Sequence, residues 1–254
     1  MINKVRTKMN MAELIRIQVP TLASNKFDNL LTGTFSNGEW DDLLPHLSVV
    51  DLKVGEVLFK SGENQNYVYF PIDSIVSLMC ELENGEGSEF AIIGNEGLVG
   101  LFIFTSNFTT SSCAIVQCKG KAFKLSATIA KTKFDQSSDF RKLILRYSQV
   151  LMSHAAQTSV CYRHHTIEQQ LCRTLLLCLD RVKDQDITLT QELISRMLGV
   201  RREGVTHAAI KLQALNIINY SRGHIHVDSR EGLLDKTCEC YDVVKKEYEK
   251  LFKN

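Results

Sequence analysis

No arginine occurs between Arg16 and Arg141, so the first half of this 254-residue chain is almost without that side chain. A phosphate-bearing ligand in that half would lack the planar, two-pronged donor that grips phosphate best. Nor is there an apolar run long enough to span a bilayer, and the basic N-terminus lacks the apolar stretch of a secretory signal. A cytoplasmic protein with no membrane partner is expected. None of the eight cysteines stands in C-x-x-C spacing. "CYRHH" (161–165) and "CEC" (238–240) come nearest to a ligand cluster, but neither is a recognised metal spacing. No metal and no cofactor are therefore expected. The chain has no Gly-rich phosphate loop, no H-E-x-x-H and no G-x-S-x-G. His164 and His165 beside Cys161 form the one catalytic-looking group, and a helix break explains their surroundings more simply. The chain does not read as an enzyme.

What is present is unevenly spread. The net charge is +1, yet residues 1–140 hold 12 Lys+Arg against 16 Asp+Glu, and residues 141–254 hold 18 against 13. The second half is the one suited to an anionic partner. Residues 1–26 lack periodicity and read as a poorly ordered lead-in. Between Val49 and Leu125, short β-branched and aromatic runs alternate with Gly/Asn/Asp turns, and "NGEG" (84–87) marks a hairpin. This texture predicts a small antiparallel roll, jelly-roll-like, occupying 27–136 with its short leading helices. From about Ser138 the period becomes helical. Phe140, Leu143, Ile144, Tyr147, Leu151, His154 and Thr158 fall on one uncharged stripe about six turns long. Such a stripe suits either a core-facing helix or a two-helix seam. Thr166 and Gln169 have capping-box spacing, which breaks the helix near His164–His165 and opens a new one. The final stretch, from Glu231, reads as a polar surface helix.

"TQELISRMLGVRREGVTHAAIKLQALNII" follows. Thr190 is a suitable N-cap, Gly199 and Val200 make a turn, and a second helix starts near Arg201. Its apolar face (Val205, Ala208, Ala209, Leu212 and Leu215) is separated from a face carrying Arg202, Glu203, Thr206, His207 and Ile210. That is the plan of a helix-turn-helix, whose second helix enters the major groove by its N-terminal end. Arg202 suits guanine and Glu203 suits cytosine. Arg201 lies just off that face, nearer the phosphates. "IINYSRGHIHV" reads as a two-stranded wing turning at Arg222–Gly223, which makes Arg222 a further candidate for DNA contact. An ordinary two-helix corner with a solvated basic turn is the plainer alternative.

The order of parts resembles the Crp/Fnr superfamily of bacterial transcription regulators. The resemblance is carried by "GEVLFKSGE", "YVYFP" and "GNEGLVG" in the roll and by "LTQELISRMLGVRREGVTHAAIKLQALNIINYSRGHIHVDSREGL" beyond it. It implies an α+β chain with an N-terminal sensor roll (27–136), a long dimerisation helix (137–163) and a winged helix-turn-helix domain (164–254). It also implies a homodimer on a two-fold symmetric site in double-stranded DNA, with RNA polymerase a further candidate partner. The uncharged stripe would then be the dimer seam. Thr190, Arg202, Glu203 and His207 match positions that contact DNA in the family, where arginine is common at the His207 position. Members that bind cyclic nucleotides have a Gly-Glu pair and an Arg-Ser/Thr-Ala. Here the corresponding segment has Glu96, Thr110 and Ser111, a degenerate pocket without the arginine. Lys119, Lys121 or Lys124 would compensate only by pointing inward. Gating by a cyclic nucleotide is not expected. The N-terminal cysteine cluster of the iron–sulfur branch is also missing, since the first cysteine is Cys80. A haem sensor using His46, His154 or Cys80 stays open. The reading from a different class is a ligand-gated adaptor whose roll binds a metabolite and whose basic half docks a protein.

Overall fold

The computed structural model describes residues 25–105, 109–182 and 186–253. The expected lead-in at 1–26 lies almost wholly outside them. The described chain opens with two short helices, α1 (Leu30–Gly33) and α2 (Asn37–Leu43). Ser36 and Glu39 close α2 with a reciprocal capping box. The roll follows as β1 (Ser48–Leu52), β2 (Val57–Phe59), β3 (Tyr67–Pro71), β4 (Ile75–Glu81), β5 (Gly87–Ile93), β6 (Ser112–Cys118) and β7 (Gly120–Ser126). It consists of two antiparallel sheets, ordered β1-β7-β3 and β2-β6-β4-β5. The "NGEG" stretch joins β4 to β5 as expected.

Strand β4 is buried at five successive residues, Ile75 to Met79, where alternation would leave every second one exposed. Both of its faces are covered. One lies in the roll; on the other, Ser77 of β4 donates to Glu89 of β5, while Gln117 of β6 donates to Cys178 Sγ at 3.2 Å across to a helix of the second half.

Helix α3 (Ala127–Gln136) leads into α4 (Ser138–His164), 27 residues and about 40 Å long. Thr166 and Gln169 then form the expected capping box at the start of α5 (Ile167–Leu179). After β8 (Asp186–Thr188) come α6 (Gln191–Leu198), α7 (Arg202–Ala214), β9 (Ile218–Ser221), β10 (His224–Val227), α8 (Arg230–Lys236) and α9 (Cys240–Phe252). The wing is a three-stranded sheet ordered β8-β10-β9, one strand more than the sequence pattern indicates. No described helix is long and apolar enough to cross a membrane.

The stripe on α4 requires a correction. Phe140, Ile144, Tyr147, Leu151, His154 and Thr158 are buried, and Leu143 half-buried, within a single chain. Phe140 packs on Phe35 and Phe104 of the roll, with ring centroids 5.3 and 6.1 Å away. Tyr147 Oη donates to the Leu98 carbonyl at 3.0 Å. His154 meets Tyr248 of α9 edge-on, and Thr158 accepts from Arg173 of α5. The stripe is a core face of this chain and is not free to meet a second copy. The same contacts correct the reading of the last helix as a polar surface element. Tyr241, Val244, Tyr248 and Leu251 form a buried stripe on α9 at spacings of three and four residues, and α9 lies along α4. The face of α4 left open carries Leu145 (51% exposed), Met152 (70%) and Val160 (50%), with Ala156 and Ser159 between them.

Candidate nucleic-acid interface

The corner between α6 and α7 is built by its caps. Thr190 Oγ1 accepts from Leu193 N at 3.1 Å and starts α6. Gly199 ends it in the left-handed region, with φ of 63°, where a side chain would be strained. Arg201 is the N-cap of α7 in extended conformation, and the helix proper begins at Arg202. Val205, Ala208, Ala209 and Leu212 turn inward and are buried, but Leu215, expected on the same face, is the C-cap and is 51% exposed. Arg202, Glu203 and His207 are exposed. Thr206 is half-buried, and its Oγ1 lies 3.0 Å from both Gln191 Oε1 and the Arg202 carbonyl.

The wing stands beside this helix. Arg222 and Gly223 both have positive φ, 51° and 82°, which gives the tight hairpin turn between β9 and β10. Tyr220 Oη donates to the Leu189 carbonyl at 2.8 Å and ties the wing to the start of α6. Between α7 and the wing lies a groove of about 370 Å³ lined by Thr190, Gln191, Arg202, Thr206, Tyr220 and Arg222. Four of the seven residues singled out for DNA contact thus share one concavity: Thr190, Arg202, Thr206 and Arg222. Glu203 and His207 are exposed on the same helix outside it. Thr190 spends its hydroxyl oxygen on the cap, so its part in the groove is largely to set the position of α6.

Arg201 goes elsewhere. Consecutive residues at a helix start point in different directions, and Arg201 lines a separate cleft of about 660 Å³ with Glu86 and Ser88 of the β4–β5 hairpin and Arg196 of α6. Arg196 and Glu81 form an ion pair across the same junction. The turn of the helix-turn-helix therefore rests against the roll.

In the roll, Glu96 and Thr110 do not form the degenerate pocket expected of them. The Glu96 carboxylate points toward the second half and accepts from Arg181 Nε and Nη2, each at 2.8 Å, in a buried pair. Gly94 allows this, because a Cβ there would meet the Arg181 side chain at 2.6 Å. Thr110 is held locally, 2.9 Å from Ser112 Oγ, and Ser111 is exposed. The three lysines do not point inward either. Lys119 and Lys121 are exposed, with Lys121 paired to Asp51, and Lys124 lies 3.7 Å over the Tyr67 ring. The three haem-ligand candidates occupy separate places: His46 in an exposed turn, Cys80 exposed on β4, and His154 buried against α9.

Glu89 is the other buried carboxylate of the roll. Burial pushes its acid up to about 7, opposed by the hydrogen bond from Ser77 and by Arg173 and Arg181 nearby. Both arginines belong to the second half.

Residues 169–236 match the family model of the Crp-like helix-turn-helix domain. No curated protein sequence matches the chain. Among solved structures, it is similar to a putative Crp/Fnr-family transcriptional regulator from Eubacterium rectale, with a TM-score of 0.65, 14% identity, and coverage of 82% of this chain and 98% of that one. It is also similar to FixK2 from Bradyrhizobium japonicum, with a TM-score of 0.63, 16% identity, and coverage of 76% and 98%. A CRP-family transcriptional regulator from Thermus thermophilus gives a TM-score of 0.62 at 13% identity, covering 74% and 95%. The chain therefore carries a Crp-like helix-turn-helix domain on α5 to α8, set on a roll and long helix with the fold of the Crp/Fnr transcription regulators.

Proposed function

We propose that this protein is a sequence-specific DNA-binding transcription regulator, acting as a homodimer on a two-fold symmetric site and not gated by a cyclic nucleotide. One observation carries the reading: the exposed N-terminal end of α7, with Arg202, faces a groove shared with Arg222 at the wing tip. A helix N-terminus with a flanking arginine suits phosphates and base edges, and a wing turn reaches the neighbouring backbone. The open face of α4, with Leu145, Met152 and Val160, supplies the dimer seam. Dimer symmetry then spaces inverted half-sites about one helical turn, ~34 Å, apart. Independence of cyclic nucleotides follows from the lack of an arginine in the roll and from the engagement of Glu96 by Arg181. Such a regulator performs no catalysis.

Selection of bound fragments from random DNA, followed by titration of the chosen site at two salt concentrations, tests this reading. An inverted repeat whose affinity falls steeply with salt is expected. Absence of any salt-dependent DNA binding would leave the adaptor reading instead. Calorimetry with cyclic AMP and cyclic GMP tests the sensor, and saturable binding of one nucleotide per chain would overturn that part.

A further inference from the structure

The end of α4 and the turn between α8 and α9 bring together two pairs of metal-ligating side chains that lie far from each other in the sequence. We propose that Cys161, His165, Cys238 and Cys240 form a four-ligand zinc site that staples the long helix α4 to the C-terminal helix. Their ligand atoms all lie within 4.8 Å of one another. Cys161 Sγ is 3.6 Å from Cys238 Sγ, and Cys240 Sγ is 3.5 Å from His165 Nδ1. In a tetrahedron with Zn–S of about 2.3 Å and Zn–N of about 2.0 Å, neighbouring ligand atoms lie about 3.5–3.8 Å apart. The four atoms thus enclose room for one ion and not for a cluster of several irons.

The local structure explains the convergence. Cys161 lies in the last turn of α4, and His165, four residues on, caps that helix and meets the same corner. Cys238 and Cys240 flank Glu239, the residue that opens α9, so the turn projects both sulfurs to one side. A further ring of groups orients them. His165 Nε2 is 3.3 Å from Glu239 Oε2, which leaves Nδ1 for the metal and fixes the tautomer. Gln157 Nε2 donates to Cys240 Sγ at 3.0 Å. Three thiolates around a divalent ion leave one negative charge. Arg173 of α5 is 2% exposed, and its Nε has no hydrogen-bond partner; its Nη2 donates to Thr158, one turn before Cys161. Arg173 also acts on the buried Glu89, and a buried cation beside Cys161 suits a site of net charge −1 as well.

The donor set selects the metal. Three soft thiolates and an imidazole in tetrahedral array favour zinc among the common divalent ions, and four protein ligands leave no open position for catalysis. Loading releases one proton from each thiol that starts protonated, while the imidazole binds through its neutral nitrogen. This proposal does not depend on DNA binding, and its test uses no DNA.

The full chain, purified under reducing conditions without chelator, should contain one zinc per chain by plasma mass spectrometry. After zinc removal, titration with cobalt(II) should give the visible bands of a tetrahedral site and a thiolate charge-transfer band of three-sulfur intensity, saturating at one equivalent. Cys161→Ser and Cys240→Ser should each reduce that band, and Glu239→Gln should retain it while weakening zinc about 10–100-fold. If a serine variant fails to fold, the wild-type cobalt spectrum decides alone. A chain with no bound zinc and no tetrahedral cobalt spectrum overturns the site. So does a Cys161–Cys238 disulfide found by peptide mapping in the freshly isolated, metal-free protein.

Discussion

The roll and the helix-turn-helix half solve the problem of charge in opposite ways. The roll buries two carboxylates, Glu89 and Glu96, and has no arginine of its own; the second half holds ten of the chain's twelve arginines, exposes several at α7 and the wing, and buries Arg173 and Arg181. The buried arginines and the buried carboxylates face one another across the junction. Arg181 pairs directly with Glu96, and both arginines act on Glu89. The uneven distribution of arginine thus has two causes. Part of it is an exposed surface of a kind suited to an anionic partner, and part is an internal junction that never sees solvent.

The sharpest break in this comparison lies within α4. Leu151→Glu puts a charge at a site 4% exposed and should destabilise the fold by more than about 4 kcal/mol in urea melts. Met152→Glu, on the open face, should change monomer stability by no more than about 0.5 kcal/mol while shifting the sedimentation equilibrium to monomers. A Met152→Glu protein that stays dimeric would move the seam off this face.

Next comes the junction pair. Arg181→Ala leaves Glu96 buried without its partner and should cost about 3–5 kcal/mol. Adding Glu96→Gln should restore a large part of that loss. A loss that the second change does not relieve would make Arg181 a packing residue.

Glu89 sharpens the comparison by pH. Its acid is held at about 7 in the folded chain, above the ordinary carboxylate value of 4.5, so the folded state keeps a proton that the unfolded state gives up. That contribution is fully present below about pH 4.5, declines as pH rises, and is lost once pH passes 7. The whole span is about 3 kcal/mol. Glu89→Gln should flatten the difference between melts at about pH 5 and about pH 8, chiefly by raising stability at the higher pH.

The exposed arginines give the smallest expected effects. Arg202→Ala should cost about 1–3 kcal/mol on the selected site and relax preference at one base pair per half-site. Equal losses on matched and scrambled DNA would show that Arg202 does not read a base. Arg201→Ala should have the lesser effect on sequence preference, because Arg201 faces the β4–β5 hairpin.

The parts legible in the sequence are those set by local caps and turns. Thr166 with Gln169, Thr190, Gly199 and the Arg222–Gly223 turn each act within a few residues, and each occurs where its pattern places it. What covers an apolar stripe is not local information. The uncharged face of α4 suited its own roll as well as a second chain, and α9, which covers part of it, has charged residues between its buried ones. The stripe of Tyr241, Val244, Tyr248 and Leu251 was the available signal that the last helix packs inward. Strand β8 spans three residues, too few to alternate visibly. The cysteine cluster was illegible for another reason. Its two halves are a C-x₃-H and a C-x-C separated by most of the helix-turn-helix domain, and each is too short to signal a ligand set.

The buried Arg181–Glu96 pair also bears on modularity. Regulators assembled from a sensor and a reader invite exchange of one for another by cutting near the hinge. A cut at His165 would divide this ion pair, leaving a roll with a stranded carboxylate and a reader domain with a stranded guanidinium. A foreign roll would need an acceptor beside its own equivalent of Gly94, with no side chain there to obstruct the arginine. The exchangeable unit in this protein is consequently larger than either half, and a working chimera would have to carry Gly94, Glu96 and Arg181 together.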